Sequence, residues 1–313
     1  MNKIYDVIIL GAGPAGLAAG LYAGRARLST LILEKGRDGG QIITTSEIEN
    51  YPGLLPEGES GASLISRMTA QVQKFGAERA CDVIRSVELE GDVKTLVGNS
   101  GTYQARTVIL ATGAFPKPLG CKNEAKFVGQ GISFCATCDG ALFEGLEVYV
   151  VGGGDSAVEE AIYLTKFARK VTIIHRRDTL RAARSIQEKA FANPKISFIW
   201  NHVVDEVYGE ELMEGMILKN VNTGALTKIE ADPEDGVFGL FGFIGFNPNS
   251  KLFENAVKLD RGYVVTDADM HTNISGVFAA GDIRAKSLRQ VVTAVADGAI
   301  AATQAEKYLQ ANA

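Results

Sequence analysis

Asp6-Val-Ile-Ile-Leu10 is a short, unbroken apolar run, the pattern of a parallel strand covered on both faces. A glycine-rich turn follows, Gly11-Ala-Gly-Pro-Ala-Gly16, and then an Ala/Leu-rich stretch that predicts a helix to about Arg25. A second apolar strand is predicted over Thr30–Glu34, which completes a βαβ unit of the expected ~30 residues. The same order recurs in Glu147-Val-Tyr-Val-Val151, Gly152-Gly-Gly-Asp-Ser-Ala157, a helix through Phe167, and a strand over Lys170–His175. The two glycine turns open 141 residues apart, too far for a solenoid repeat, so the pattern predicts two related domains. Two shorter strands end in small-residue turns, Val108-Ile-Leu-Ala-Thr-Gly113 and Val277-Phe-Ala-Ala-Gly-Asp282.

Composition narrows this picture without changing it. The 313 residues are 46% hydrophobic and 22% charged, which fits an ordinary globular protein of about two domains. A formal net charge of −5 argues against a general nucleic-acid-binding surface. The uncharged stretch Val7 to Gly24 could pass for a signal peptide or membrane span, but Gly11, Gly13, Pro14, Gly16, Gly20 and Gly24 break it too often for a lipid-facing helix. No membrane partner is expected. Four cysteines, Cys81, Cys121, Cys135 and Cys138, are too few for a disulfide-stapled secreted fold and predict a cytoplasmic location.

A glycine-rich strand–helix turn binds pyrophosphate because the backbone can approach closely and the helix N-terminus offers free N–H groups. Gly11, Gly13, Pro14, Ala15 and Gly16 form such a turn, and Glu34 stands 21 positions after Gly13 at the end of the next strand. A carboxylate there accepts hydrogen bonds from a ribose diol and repels a 2′-phosphate, which favours FAD or NAD over NADP. The second turn, Gly152, Gly153, Gly154, Asp155 and Ser156, leads instead to His175-Arg176-Arg177 with Arg181 beyond. Arginines in that place suit the 2′-phosphate of NADPH. Opposite charges at equivalent positions assign FAD to the first site and NADPH to the second.

Cys135-Ala-Thr-Cys138 lies between the two turns. A Cys-x-x-Cys closes a disulfide easily and lowers one thiol's pKa, and Asp139, next in sequence, is placed to serve as general acid or base. The alternative for such a pair is half a zinc site, but Cys81 and Cys121 are isolated and His175, His202 and His271 are scattered, so no metal is expected. Cys81 and Cys121 read as buried or incidental thiols, and His202 and His271 as single histidines without a visible partner. Two nucleotide sites around a dithiol describe a two-electron relay from nicotinamide through flavin to disulfide.

In these motifs the chain resembles the low-molecular-weight, prokaryotic-type NADPH-dependent thioredoxin reductases over essentially its whole length. The resemblance also rests on Gly39-Gly-Gln41, Glu49-Asn-Tyr-Pro-Gly53, Ala111-Thr-Gly113 and Ala280-Gly-Asp282 followed by Arg289-Gln290. It implies an α/β fold of two Rossmann-like, three-layer (ββα/βαβ) dinucleotide-binding domains, the second inserted into the first. The FAD domain would comprise residues 1–115 and 247–313, and the NADPH domain with the redox disulfide residues 116–246. Gly39, Gly40, Gln41, Asn50, Ala111, Thr112, Gly113, Gly281, Asp282, Arg289 and Gln290 would join the first turn in holding FAD. Cys138 would face the flavin, Cys135 would attack the thioredoxin disulfide, and Asp139 would supply the acid/base. A homodimer is implied, and so is a large rotation of one domain against the other, with hinges near Pro116/Pro118 and Phe246-Asn-Pro-Asn249. The chain departs from the family pattern at Val291, where Ala is common, and in the glycine-rich run Val237–Phe246.

Two other readings stay open. A reductase of another small dithiol or peroxiredoxin-type partner often carries an extra N-terminal redox domain, whereas this sequence starts at its first strand. A flavin-bound redox sensor without turnover would share the same motifs.

Overall fold

The computed structural model describes residues 3–45, 48, 50–54 and 58–312, so Glu49 of the Glu49–Gly53 motif lies outside the described residues. The chain divides into two compact units, Met1–Phe115 with Asn247–Ala313, and Pro116–Phe246. The first opens with β1 (Ile4–Leu10), α1 (Pro14–Arg25), β2 (Thr30–Glu34), α2 (Gly61–Lys74), β3 (Glu78–Cys81), β4 (Ile84–Glu88), β5 (Lys94–Gly98) and β6 (Thr102–Leu110). A short strand β7 (Ala114–Pro116) reaches the boundary. The second unit holds α3 (Glu124–Phe127), β8 (Ile132–Ser133), α4 (Ala136–Asp139), β9 (Glu147–Val151), α5 (Asp155–Leu164), β10 (Lys170–His175) and α6 (Arg184–Phe191). It continues with β11 (Ile196–Trp200), β12 (His202–Tyr208), β13 (Gly215–Asn220), β14 (Leu226–Glu230) and β15 (Gly239–Gly242). After β16 (Phe246–Pro248) come β17 (Leu259–Asp260), β18 (Tyr263–Val264), β19 (Val277–Ala279) and α7 (Val291–Ala311).

Among the described residues the first unit is built on a seven-stranded sheet of order β3-β2-β1-β6-β5-β4, with β19 also beside β6. The strands β3, β2, β1, β6 and β19 run parallel, while β5 and β4 complete the sheet antiparallel. The unbroken apolar run of β1 now has its reason. Val7 and Ile9 enter one core with α1 and α7, whereas Ile8 and Leu10 enter the other with Phe253, Val264 and Ile283. Each of Val7, Ile8 and Ile9 is fully buried and contributes roughly 1.5–3 kcal/mol of hydrophobic stabilisation.

The second unit repeats the plan on a five-stranded parallel sheet, β11-β10-β9-β15-β8. Val148 and Val150 of β9 face a core with Ala157, Val158 and Leu164 of α5, and Tyr149 faces the antiparallel sheet β12-β13-β14 through Val207, Met216 and Leu218. Sheet, helices and second sheet make the three layers. The helix expected through Phe167 ends at Leu164. Lys166 and Phe167 N–H groups bond three residues back, to Tyr163 and Leu164, and the Thr165 hydroxyl takes the Ile162 carbonyl, so the last turn tightens and stops.

The glycine-rich run Val237–Phe246 is explained by two aromatic rings. A Cβ on Gly239 would lie 2.8 Å from the Phe143 ring, and one on Gly242 2.7 Å from the Phe134 ring. Phe134 and Phe143 flank the Cys135–Cys138 segment, so bare glycines on β15 let both rings seat against the strand. Phe143 also packs edge-on to Phe241, with ring centroids 5.3 Å apart. Gly239→Ala is therefore expected to destabilise this unit by about 1–3 kcal/mol through overpacking. Denaturant titration of Gly239→Ala, Phe143→Leu and the double variant should show the pair losing less than the sum of its parts.

Candidate functional site

In the first unit the residues singled out by sequence gather at the carboxyl ends of the parallel strands. Gly11 adopts φ +105°, and a Cβ there would lie 2.4 Å from the Ala111 carbonyl oxygen. α1 starts at Pro14 with Gly13 at its N-cap, no side-chain cap and no acidic residue in its first turn, so its leading N–H groups face outward. Glu34 is held from behind: one carboxylate oxygen accepts from Ala12 N–H (2.9 Å) and the other from Gly36 N–H (3.2 Å). Gly39 donates to the Ala12 carbonyl (2.8 Å), which lays the Gly39–Gly40 turn against Gly13, the residue that leads into Pro14, Ala15 and Gly16 of α1.

Further residues join the same end. The Gln41 side-chain amide donates to the Ala114 carbonyl, and Asn50 donates to Gln290 Oε1 (3.2 Å). Thr112 and Gly113 are tied to Asn249, with Thr112 Oγ1 donating to its carbonyl (2.9 Å) and its amide donating back to the Thr112 carbonyl (2.8 Å). Gln290 caps α7 in a reciprocal pair with Thr293. The Arg289 guanidinium lies over the Tyr263 ring, 4.1 Å from its centroid.

Beneath the Gly281–Asp282 turn lies a charge cluster. Asp297 of α7 accepts from Gly281 N–H and from Lys286 Nζ, both at 3.0 Å, and pairs with Arg284 at 2.8 Å. Asp297 and Arg284 are 7% and 8% exposed, so the pair is poorly screened. Lys286 Nζ also stands 3.6 Å from Asp282 Oδ1, too long for a hydrogen bond. Among the described residues Asp282 Oδ1 and Arg289 Nε are buried without a hydrogen-bond partner. Burial raises the Asp282 carboxyl above its ordinary pKa against the pull of Lys286 and Arg289.

In the second unit the Gly152–Gly154 turn is clasped by the segment after β10. Arg181 and Ala182 N–H groups both donate to the Gly153 carbonyl (2.6 and 3.1 Å), and Asp155 accepts from Ala183 N–H (2.6 Å). His175 is buried with its ring on Gly153, where a Cβ would lie 2.4 Å from the imidazole. Burial first, then Arg181, Arg177 and Arg176, lower its pKa, so it is neutral at neutral pH. Arg176, Arg177 and Arg181 are exposed, and none forms an ion pair among the described residues. Ser156 lies exposed in the first turn of α5, which has no side-chain cap.

Cys135 and Cys138 form a disulfide across the four-residue helix α4, with Cα atoms 5.3 Å apart and both residues partly exposed. With no S–H on either sulfur, the Thr137 hydroxyl is the donor in its 3.4 Å contact with Cys135 Sγ. Asp139 Oδ2 accepts a 2.6 Å hydrogen bond from Ser133, whose hydroxyl in turn accepts from Cys135 N–H (3.1 Å). Burial raises the Asp139 pKa, and the Ser133 hydrogen bond draws it back. Cys81 is exposed, whereas Cys121 is buried and its thiol is pushed up to about 11 by desolvation. His271, expected to stand alone, instead pairs with Asp267 at 3.0 Å. His202 Nδ1 contacts the Trp200 carbonyl at 2.6 Å.

Residues 5–298 match the pyridine nucleotide-disulphide oxidoreductase family. The thioredoxin reductase of Peptoclostridium acidaminophilum is 56% identical over 313 residues, covering 100% of this chain and 99% of the relative. That of Bacillus subtilis is 48% identical over 311 residues, covering 99% and 96%. The crystal structure of thioredoxin reductase from Streptococcus pyogenes superimposes with a TM-score of 0.92 at 44% identity, covering 99% of this chain and 100% of the other. The chain belongs to the thioredoxin reductases. It is thus an oxidoreductase of the flavoprotein disulfide reductase class, a class that draws its electrons from a pyridine nucleotide.

For this thioredoxin reductase, motif reading missed Asp297, Arg284, Lys286 and Ser133. One signal was present for the first: a carboxylate among Ala294, Gly298, Ala301 and Ala302, at the spacing of the buried face of a helix. Asp297→Ala would leave buried Arg284 without its counter-ion and Lys286 with only the longer contact to Asp282. Guanidinium unfolding should show a loss of about 3–5 kcal/mol, the usual result of removing one partner from a buried ion pair.

Proposed function

We propose that this chain reduces the disulfide of thioredoxin with electrons from NADPH, with FAD held by the unit Met1–Phe115 and Asn247–Ala313 and NADPH by Pro116–Phe246. The observation that carries the reading is a Cys135–Cys138 disulfide in the unit whose glycine turn is flanked by unpaired arginines, while the other turn answers to Glu34. The relatives named thioredoxin reductase support thioredoxin as the protein substrate.

The first unit fits a flavin dinucleotide. Buried polar atoms without partners cost about 1–3 kcal/mol each, so Asp282 Oδ1 and Arg289 Nε favour a ligand that engages them. Gly11, Gly13, Pro14, Ala15 and Gly16 would take the pyrophosphate on the α1 N-terminus, and Glu34 the adenosine ribose. Gly39, Gly40, Gln41, Asn50, Ala111, Thr112 and Gly113, with Gly281, Asp282, Arg289 and Gln290, would line the rest. In the second unit Gly152, Gly153, Gly154, Asp155 and Ser156 would take the NADPH pyrophosphate, with neutral His175 bracing Gly153. Arg176, Arg177 and Arg181 would hold the 2′-phosphate.

FAD held there would supply the two-electron chemistry that links a nicotinamide to the Cys135–Cys138 disulfide. Cys135, as thiolate, attacks one sulfur of the thioredoxin disulfide, and the other thioredoxin sulfur departs and takes a proton supplied through Asp139. Cys138 then attacks Cys135 Sγ, which restores the Cys135–Cys138 bond and frees the second thioredoxin thiol. The same reading makes the enzyme a homodimer, supported by exposed Leu288 and Val292 where α7 begins, and places it in the cytoplasm, supported by its few cysteines. No helix among the described residues is long and apolar enough to cross a membrane.

Cys138→Ser should stay yellow and be bleached by NADPH yet lose thioredoxin reduction; retained turnover would overturn the assigned disulfide. In the Arg176→Ala, Arg177→Ala double variant, NADPH affinity should fall about tenfold or more while NADH changes by less than about threefold, the difference expected when hydrogen bonds to one phosphate are lost. Steady-state kinetics with each nucleotide reads this, and equal losses would remove the phosphate role.

A further inference from the structure

Ser133 closes β8, is 5% exposed, and brings a side-chain hydroxyl to the disulfide segment, where it also lies 3.4 Å from the Cys135 carbonyl. Its hydroxyl donates to Asp139 Oδ2 at 2.6 Å and accepts from Cys135 N–H at 3.1 Å. One oxygen thus joins the acid to the backbone of the cysteine that would meet the substrate. β8 is anchored by parallel pairing of Ile132 and Ser133 with Leu240 and Phe241 of β15, so the hydroxyl is presented from the sheet and not from the short helix. α4 is too short to fix Asp139 by helical packing alone.

We propose that Ser133 is a positioning residue for thiol–disulfide exchange: its hydroxyl fixes the Asp139 carboxylate relative to Cys135. This rests on the reading of Asp139 as the acid/base. The surroundings leave Ser133 as the group that does this. The helix packed against α4 is α5, which carries Asp155, Glu159, Glu160 and Tyr163. None of them perturbs Asp139, whose carboxyl feels burial, which raises its pKa, and the Ser133 hydrogen bond, which lowers it. The Gly140–Phe143 turn on the other side carries no titratable group. A hydroxyl hydrogen-bonded to the ionised form stabilises that form, so its removal raises the Asp139 pKa further. A general acid with a higher pKa stays protonated to higher pH, so the alkaline limb of turnover that Asp139 governs must move up. The maximal rate falls at the same time, because the carboxyl is no longer oriented.

The test compares Ser133→Ala, Ser133→Thr and Asp139→Asn as FAD-loaded enzymes. Stopped-flow flavin reduction by NADPH and flavin reoxidation by oxidised thioredoxin are followed separately from pH 5 to 10, alongside melting temperature. In Ser133→Ala, reoxidation should slow by about tenfold, part of what a positioned acid/base supplies, and its alkaline limb should shift up. Reduction by NADPH should be unchanged, and Ser133→Thr, which restores a hydroxyl, should regain most of the rate and the original limb. A limb in Ser133→Ala that superimposes on the parent overturns the inference. So does a matching loss in the NADPH half-reaction, which would mark a general defect of this unit. If Asp139→Asn reoxidises at the parent rate, the acid/base reading itself fails and the inference falls with it; if only Asp139→Asn is impaired, the reading stands and Ser133 is dismissed.

Discussion

How close α1 comes to its sheet is set by one backbone contact. A Cβ on Gly16 would sit 1.8 Å from the Gly11 carbonyl oxygen, and a Cβ on Gly11 would sit 2.4 Å from that of Ala111. With those hydrogens in place of side chains, helix, turn and neighbouring strand collapse onto one another. The leading N–H groups of α1 are then carried to the strand ends, where Glu34, Gly39 and Ala111 converge. α7 exploits the same economy of volume. A Cβ on Gly298 would fall 2.1 Å from the Ala15 carbonyl oxygen, so the second helix also rides directly on the turn. What lines this end of the sheet is backbone dipole and a few committed side chains, a surface suited to phosphate and ribose.

The second unit applies the rule with a different filling. Gly153 leaves room for a buried imidazole, and the loop after β10 closes over the turn by donating two N–H groups to a single carbonyl. That arrangement leaves three exposed guanidiniums that form no ion pair among the described residues. Unpaired positive charge beside an uncapped helix is a preformed anion site. Glu34 stands at the matching place in the other unit, held by two backbone donors. Similar backbones thus carry opposite charge preferences, and the difference resides in a handful of side chains at the end of one strand.

Much of this is legible in the sequence. The strands Thr30–Glu34, Glu147–Val151 and Lys170–His175 have the bounds their apolar runs predict, because strands buried on both faces carry an unambiguous pattern. The sequence pattern extends the helix after Gly154 three residues too far, since Thr165-Lys-Phe167 continues the helical period while its hydrogen bonds have already tightened. The antiparallel strands β12 to β14 left little trace because their faces are only half buried. At the sites, residues whose role is local, such as Gly11, Glu34 and the Cys135–Cys138 pair, were legible from spacing. Ser133 and Asp297 were not. The first matters only because β8 ends beside α4, and the second because α7 packs under the Gly281 turn, whose N–H reaches Asp297 16 residues further on. Tertiary neighbours of that kind have no fixed separation along the chain.

The cluster around Asp297 ties three positions into a single hereditary unit. Arg284 and Lys286 are tolerable in so dry a place because Asp297 pairs with both and Asp282 stands 3.6 Å from Lys286, and the Asp297 carboxylate is tolerable because two cations and a main-chain amide surround it. A lineage that loses Asp297 strands Arg284 and leaves Lys286 only the longer contact to Asp282, and one that loses a cation unbalances the rest. Descendants should therefore retain the trio intact or exchange it wholesale for neutral residues, and sequences caught halfway should be scarce.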